Sequence, residues 1–391
     1  MIERLLDPRI QQFIRDHEND SPSKLMLRAN QFPEWDMSAI VDQVVSRKKA
    51  KNKLSDWYSK EGIIWPKPLS IEQSSSQITA EYKAHLVSGK SMIDLTGGFG
   101  VDTYYFSKRF DKVTHVEINE VLHQIVKQNF ILLDSSIRSI CSTAEQYLKD
   151  SEPVDFIYLD PARRDEENAK VVFLEYYSPN VVDLQNSLLS VAKQVMIKVS
   201  PLLDIKKVLH DIDNVSEVHV VSVKNEVKEL LLILKPQITE EPILKTINLG
   251  GQEVHLFDFT FSEEVSLEID TSEVSNFLYE PNASILKAGG FKSIGYYYGL
   301  KKLEANSHLY TSEDFISNFP GRSFKVLKEL SLSKKKLKKD LHEFKANIAV
   351  RNYPATVDEI RRKTGIQEGG DQYIFATMDK KGKKVLLCEK I

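Results

Sequence analysis

Asp94 and Glu117 each end a short apolar run, and a glycine-rich turn lies between them; a third acid, Asp160, is followed at once by a proline. The turn, Thr96-Gly97-Gly98-Phe99-Gly100, can bring backbone N–H groups close to a ligand, because glycine has no side chain to clash and reaches positive φ. Glu117 stands where a carboxylate would accept the two hydroxyls of a ribose. Asp94 would repel a pyrophosphate and suits a ligand that carries an ammonium group. In Asp160-Pro161 the proline fixes the backbone φ.

These groups need elements to position them. Met92 to Leu95 reads as a buried strand. A helix starts at Asp102 and Thr103, with Val101, Tyr104, Tyr105 and Phe106 as its apolar face. Val113 to Val116 is the next strand, and Glu120 to Asn129 a helix with Val121, Leu122, Ile125 and Val126 inward. Ser139 to Ser142, Val154 to Leu159 and Gln194 to Ser200 continue the strands. Val218 to Val223 and Glu229 to Lys235 read as a closing antiparallel hairpin. Seven strands from Met92 to about Lys235 predict an α/β domain with a Rossmann-like sheet, which binds ligands beyond the carboxyl ends of its strands. Asp160-Pro161-Ala162-Arg163-Arg164 stands at such an end, across the crevice from the turn. Arg163 and Arg164 suit phosphate or substrate; surface pairing with Asp165, Glu166 and Glu167 is the plainer alternative. A nicotinamide-binding turn would have a third glycine where this chain has Thr103.

The chain has 391 residues, 41% hydrophobic and 28% charged, which fits a globular protein of two or three domains. The first residues, MIERLLDPRIQQF, are charged throughout, unlike a secretory signal. No apolar run reaches the roughly 18 residues of a membrane span, so a cytoplasmic location without membrane contact is expected. Cys141 and Cys388 cannot make a disulfide framework or a zinc cluster and read as small buried hydrophobes. No metal is expected. The net charge of −3 conceals an asymmetry: Arg322 to Ile391 carries 18 Lys and Arg against 9 Asp and Glu, a balance of +9, leaving −12 for the rest. A basic end on an acidic body suggests a nucleic-acid contact.

Elsewhere the pattern is coarser. Residues 1 to about 62 read as helical, with a basic run from Arg47 to Lys53. Ser70 can cap a helix, or Ser75 or Ser76 a later one, and Thr79 to Leu86 reads as helical. After a link from Pro236 to Gly251, Val254 to Phe261 and Val265 to Ile269 alternate as strands, and Glu273 to Phe277 and Ser284 to Ala288 look helical. Ser333 to Lys339 is a basic helix face. Ile348 to Asn352 is a strand, Thr356 to Thr364 a capped helix, and Gln372 to Thr377 with Lys384 to Glu389 a hairpin around Asp379 to Gly382.

IDLTGGFGVDT resembles motif I of class I S-adenosylmethionine-dependent methyltransferases, with Thr96 in place of its first glycine. Asp160-Pro161-Ala162-Arg163 resembles the Asp/Asn-Pro-Pro-aromatic motif of enzymes that methylate exocyclic amines, with Ala162 and Arg163 as departures. Together with EQSSSQITAEYKA, NIAVRNYPATVDEIRRKTGI and GGDQYIFAT, these motifs resemble a bacterial family that joins four parts. Those parts are a helical N-terminus at 1–85, a class I methyltransferase domain at 86–238, a ferredoxin-like domain at 250–321 and a THUMP-like domain at 322–391. The resemblance implies S-adenosylmethionine as cofactor, bound by Asp94, Thr96, Gly97, Gly98, Gly100, Glu117, Ile118, Ala144, Glu145 and Asp160. It implies an RNA substrate, with Asp160 and Pro161 aligning a base nitrogen for direct methyl transfer and Arg163 and Arg164 on the substrate. Gln73, Thr79 and Lys83 would belong to a segment folded over the cofactor. The altered proline motif leaves open a noncatalytic RNA-binding or assembly protein that keeps the fold.

Overall fold

The computed structural model describes residues 2–163, 174–237, 240–251 and 254–391. The chain forms two compact units: Met1–Glu217 with Leu230–Glu240, and Val218–Glu229 with Glu241–Ile391.

The first unit opens with short helices and then α1 (Met37–Lys53), whose N-terminus is capped by Asp36. Two buried amides clamp the link that follows. Gln43 bonds the backbone N and O of Trp65, and Asn129 bonds those of Ile64, each amide acting as donor and acceptor. The link thus satisfies its buried backbone without a strand partner. Ser76, among the three candidate serines, caps α2 (Gln77–His85) by accepting from Thr79 N.

The alternation then runs β1 (Gly89–Asp94), α3 (Val101–Phe106), β2 (Phe110–Glu117), α4 (Glu120–Leu132), β3 (Arg138–Cys141), α5 (Ala144–Lys149) and β4 (Val154–Leu159). It ends α6 (Val181–Val191), β5 (Ala192–Val199), α7 (Ile205–Asp211), β6 (Val215–Val223) and β7 (Glu226–Leu234). Within a nine-stranded sheet these strands run in the order β6-β7-β5-β4-β1-β2-β3, and two later strands extend the sheet beyond β6. β1 pairs parallel with β2 and β4, β2 with β3, and β4 with β5, while β7 runs antiparallel to β5. These seven strands are the predicted Rossmann-like sheet with its reversed closing hairpin, here extended to nine strands. The order reverses at β1, which lies between β2 and β4, so the crevice beyond β1 and β4 is the ligand-binding switch point of such sheets. Val195, Met196 and Ile197 in β5 are wholly buried, as expected for a strand covered on both faces.

In the second unit β8 (Ile243–Leu249) pairs antiparallel with β9 (His255–Phe259). A second sheet follows, built from β10 (Phe277–Pro281), β11 (Lys301–Lys302), β12 (Tyr310–Ser312), β13 (Gly321–Glu329), β14 (Asn347–Val350), β15 (Gln372–Asp379) and β16 (Gly382–Lys390). Its order is β11-β12-β10-β13-β16-β15-β14. The expected C-terminal helix is there, Val357–Thr364, with a capping box between Thr356 and Glu359 and a left-handed Gly365 at its end. The basic run is a helix, Lys334–Asp340, that buries Leu337 and exposes its lysines.

Four expectations are corrected. The stretch from Pro236 to Gly251 is not only a link, because it contains the strand Ile243–Leu249. Val265 to Ile269 is not a strand; Phe261–Ser266 is a helix, started by a capping box in which Glu263 N donates to Thr260 Oγ1 and Thr260 N to Glu263 Oε2. Glu273 to Phe277 is not helical, because distant side chains take its backbone donors: Val274 N bonds Asp379 and Ser275 N bonds Thr311. Cys141 is exposed at the end of β3, while Cys388 is buried.

Candidate active site

The turn after β1 is held from below. Asp94 is 1% exposed, and both its oxygens are used: Thr96 N donates to Oδ1 at 3.1 Å and Thr103 Oγ1 to Oδ2 at 2.6 Å. It therefore faces inward as the anchor of the turn. Burial pushes its carboxyl up to about 8, against the two hydrogen bonds, with Asp102 and Asp160 adding to the rise. Thr103, in the place of a third glycine, is the anchor's partner.

Two glycines of the turn are required by close packing. A Cβ on Gly97 would lie 2.2 Å from the ring of His115, and one on Gly100 would lie 2.7 Å from Phe130. Gly100 also has φ +78°, and Gly98 has φ +54°. Gly97 N donates to Val116 O, which ties the turn to β2. His115 is buried beneath the turn, near Gly98 O and bonded to Ser139; burial lowers its pKa to about 4, so it stays neutral.

Glu117, at the end of β2, accepts from Gly98 N at 2.8 Å and from Asn119 N at 2.7 Å. The carboxylate is thus fixed at the rim of the turn, next to Ile118, whose side chain is 68% exposed. Beyond β3, Thr143 caps α5; Ala144 is buried and Glu145 exposed.

Asp160 follows β4. Its N–H donates to Thr96 Oγ1 at 2.5 Å, so the residue that replaces motif I's first glycine ties the two loops together. Lys198 of β5 forms an ion pair with Asp160 Oδ2. The register explains the meeting, because Leu159 pairs with Ile197 and the next residues follow side by side. Sequence reasoning missed Lys198; the available signal was one lysine inside an otherwise apolar strand, VMIKV. Pro161 is buried, and the main chain of Ala162–Arg163 pairs with Tyr177–Ser178 in a short ladder. The side chain of Arg163 and all of Arg164 lie outside the described residues.

The segment before β1 differs from expectation. Gln73 is exposed, but Thr79 is 3% exposed and Lys83 wholly buried. Lys83 Nζ lies 3.1 Å from Asp102 Oδ1 and donates to Ser75 Oγ at 2.8 Å, while Ser75 and Tyr158 both donate to Asp102 Oδ2. Burial would raise the Asp102 carboxyl, but Lys83, Lys198 and these hydrogen bonds outweigh it and hold it below the usual range. Thr79 and Lys83 are thus part of the interior, not a cover.

Among the described residues no group of three or more His, Cys, Asp or Glu could hold a metal, and no helix is long and apolar enough to cross a membrane.

A Rossmann-like sheet whose first turn carries an acid-anchored glycine loop, with a ribose-type carboxylate on β2, defines a class I methyltransferase-type fold. Residues 277–320 match the model of a ferredoxin-like domain, and residues 321–390 that of a THUMP-like domain. A crystal structure of a Porphyromonas gingivalis W83 protein, provisionally named a methyltransferase, is 32% identical, covers 99% of this chain and 98% of its own, and has a TM-score of 0.88. The chain belongs to the family of that protein, in which a class I methyltransferase-type domain is joined to ferredoxin-like and THUMP-like domains. Two more distant structures are similar over part of the length. A Listeria monocytogenes protein, provisionally named a class I S-adenosylmethionine-dependent methyltransferase, is 12% identical over 62% of this chain and 94% of its own, TM-score 0.38. M. capricolum TrmK, solved with S-adenosylhomocysteine, is 10% identical over 40% of this chain and 67% of its own, TM-score 0.32. No curated protein matches the sequence.

Proposed function

We propose that the protein transfers a methyl group from S-adenosylmethionine to a base nitrogen of RNA. The observation that carries the reading is the Thr96–Asp160 hydrogen bond at 2.5 Å, which sets the glycine turn and the acceptor-type acid side by side at the switch point. The turn fits this cofactor. Gly98 and Gly100 open the backbone, and Glu117 is held at the rim where a ribose diol would bind. The exposed Ile118, with Ala144 and Glu145 after β3, would face the adenine. Asp94 contributes from beneath, by shaping the turn.

The cofactor supplies an electrophilic methyl on a sulfonium, already a good leaving group, so the chain's work is positioning. Lys198 holds Asp160 Oδ2 in place. The carboxylate's other edge and the backbone near Pro161 accept hydrogen bonds from the target amine and orient its lone pair along the line of transfer. The carbon–sulfur bond breaks as the nitrogen–carbon bond forms, and the amine's proton leaves to solvent. Arg163 and Arg164 would contact substrate phosphate. The cytoplasm is the expected setting.

The test is transfer of labelled methyl from S-adenosylmethionine to total RNA from cells lacking the protein, with Asp160→Ala alongside. Labelled RNA with wild type, and labelling about 100-fold slower with the variant, is the expected result. One observation favours a noncatalytic RNA-binding reading: Asp160 is already engaged by Lys198, and the motif lacks its second proline and aromatic. RNA bound with no transfer at any pH would establish that reading instead.

A further inference from the structure

We propose that Arg322 and Arg351, clamped on the buried Glu280, form a phosphate-binding site for the RNA backbone in the second unit; this rests on the RNA reading above. Glu280 is 2% exposed, yet each arginine keeps a third or more of its side chain in solvent, 33% for Arg322 and 39% for Arg351. Arg322 Nε donates to Glu280 Oε2 at 2.8 Å, with its Nη2 on the same oxygen, and Arg351 Nη2 lies 2.5 Å from Oε1.

The clamp is built in, not incidental. Glu280 and Arg322 are direct cross-strand partners in β10 and β13. Their register is enforced by Gly321, where a Cβ would lie 2.1 Å from Glu280 O. Arg351 is fixed by its own backbone: its N donates to Ala376 O at 3.0 Å, and its Nη1 bonds Val350 O at 2.8 Å. The next residue, Asn352, takes a left-handed φ of 52° and bonds Glu304 and Ser307.

The charge count separates a site from a staple. One arginine would neutralise Glu280. The second leaves a net charge of +1 on guanidiniums that are already immobilised. A guanidinium presents five donors in a rigid fork that matches phosphate oxygens. Because the buried carboxylate holds both forks, binding an anion freezes little further side-chain motion. The surrounding C-terminal stretch, residues 322–391, adds its +9 balance, which favours a polyanion over a single small ion.

The experiment measures binding of the full-length protein to oligouridylate across a salt series, for wild type, Arg351→Gln, Arg351→Lys and the Arg322→Gln/Arg351→Gln pair. On single-stranded RNA the slope of log affinity against log salt should fall by about 0.7 for each phosphate that is no longer neutralised. Arg351→Gln, which removes the clamp's net positive charge, should therefore flatten the slope by about 0.7, and the double variant by at least as much. Arg351→Lys should keep the slope and lose affinity several-fold, because it keeps charge without the fork. Glu280→Gln guards against loss of folding: releasing the guanidiniums from their counter-charge should make the slope steeper. An unchanged slope in the folded double variant overturns the inference, as does weaker binding without a slope change in Glu280→Gln. If wild type binds S-adenosylmethionine but no RNA, the RNA reading itself fails; if RNA binds and only the slopes are unaffected, this site alone fails.

Discussion

Two of the lysine–carboxylate pairs in the first unit differ in their surroundings. Lys83 and Asp102 are shut in, with side chains 0% and 9% exposed; Ser75 and Tyr158 donate to Asp102 Oδ2, and Lys83 faces Oδ1. Lys198 and Asp160 stand at strand ends, 15% and 33% exposed. A buried pair with its remaining hydrogen-bonding capacity met by neighbours fixes architecture. A pair left partly open keeps an edge for a ligand. Burial thus separates a lysine that the fold requires from one that the proposed chemistry would use, although both acids neighbour the same turn.

The contrast between the pairs breaks most easily at Lys83. Lys83→Met would strand Asp102 as a buried charge, at a cost of about 3–5 kcal/mol of unfolding free energy. Lys198→Met should stay within about 1 kcal/mol of wild type, because its pair is partly solvated. Urea unfolding of both variants checks this; equal losses would erase the distinction. The pH dependence should also change sign. In wild type the Asp102 carboxyl lies below its usual range, so its contribution is present above about pH 4 and lost as pH falls. In Lys83→Met burial is less opposed, the carboxyl rises, and the variant should gain stability relative to wild type toward acid pH.

Activity sharpens the same contrast from the other side. Asp160→Ala should lower methyl transfer about 100-fold, roughly 2.7 kcal/mol of transition-state stabilisation, while cofactor affinity changes little. Lys198→Met should act through Asp160 and cost about tenfold, in kcat and not in KM. A loss of cofactor binding in either variant would mean that the pair shapes the turn instead.

Glu117→Gln should weaken S-adenosylmethionine binding by about ten- to a hundredfold, the range of a missing charge-assisted hydrogen bond. Calorimetric titration, with NADH as control, reads it directly. Unchanged affinity would remove the carboxylate from the site.

How much of the molecule is legible in its sequence follows the range of the interactions. The sheet is, because buried strands of branched apolar residues and a glycine turn are local patterns. The turn's glycines are too, but their reasons are not. Gly97 is required by His115, which belongs to the next strand. Lys83 reads as a residue of a covering segment, since a helix shows its periodicity but not which neighbour covers it. The small Ala80 and Ala84 beside it, both buried, are the signal that this face packs inward. Lys198 meets Asp160 only through the β4–β5 register, and Glu280 meets Arg351 only through the second sheet. The missing helix at Glu273 to Phe277 has the same cause: Asp379 and Thr311 reach its backbone from far along the chain.

Asp94 gives the smallest and most specific effect. It carries no lysine, so burial acts on it without a counter-charge, and its carboxyl is pushed up to about 8. The folded state then holds a proton that the unfolded chain has released above about pH 4. Its stabilising contribution is full below that pH and fades as pH rises through about 8. Asp94→Asn keeps the shape and the hydrogen-bonding groups but cannot titrate, so the melting temperature of wild type should fall relative to the variant between about pH 4 and about pH 8 and level off above that. A cationic ligand above the turn favours the ionised carboxylate. Binding of S-adenosylmethionine near pH 7 should therefore release protons, measured by calorimetry in buffers of different ionisation heat, and the release should shrink in Asp94→Asn. Equal proton release by both proteins would place the cation too far from Asp94 to be felt. Asp94 would then join Asp102 on the architectural side of the comparison, leaving Asp160 as the acid that meets the reaction.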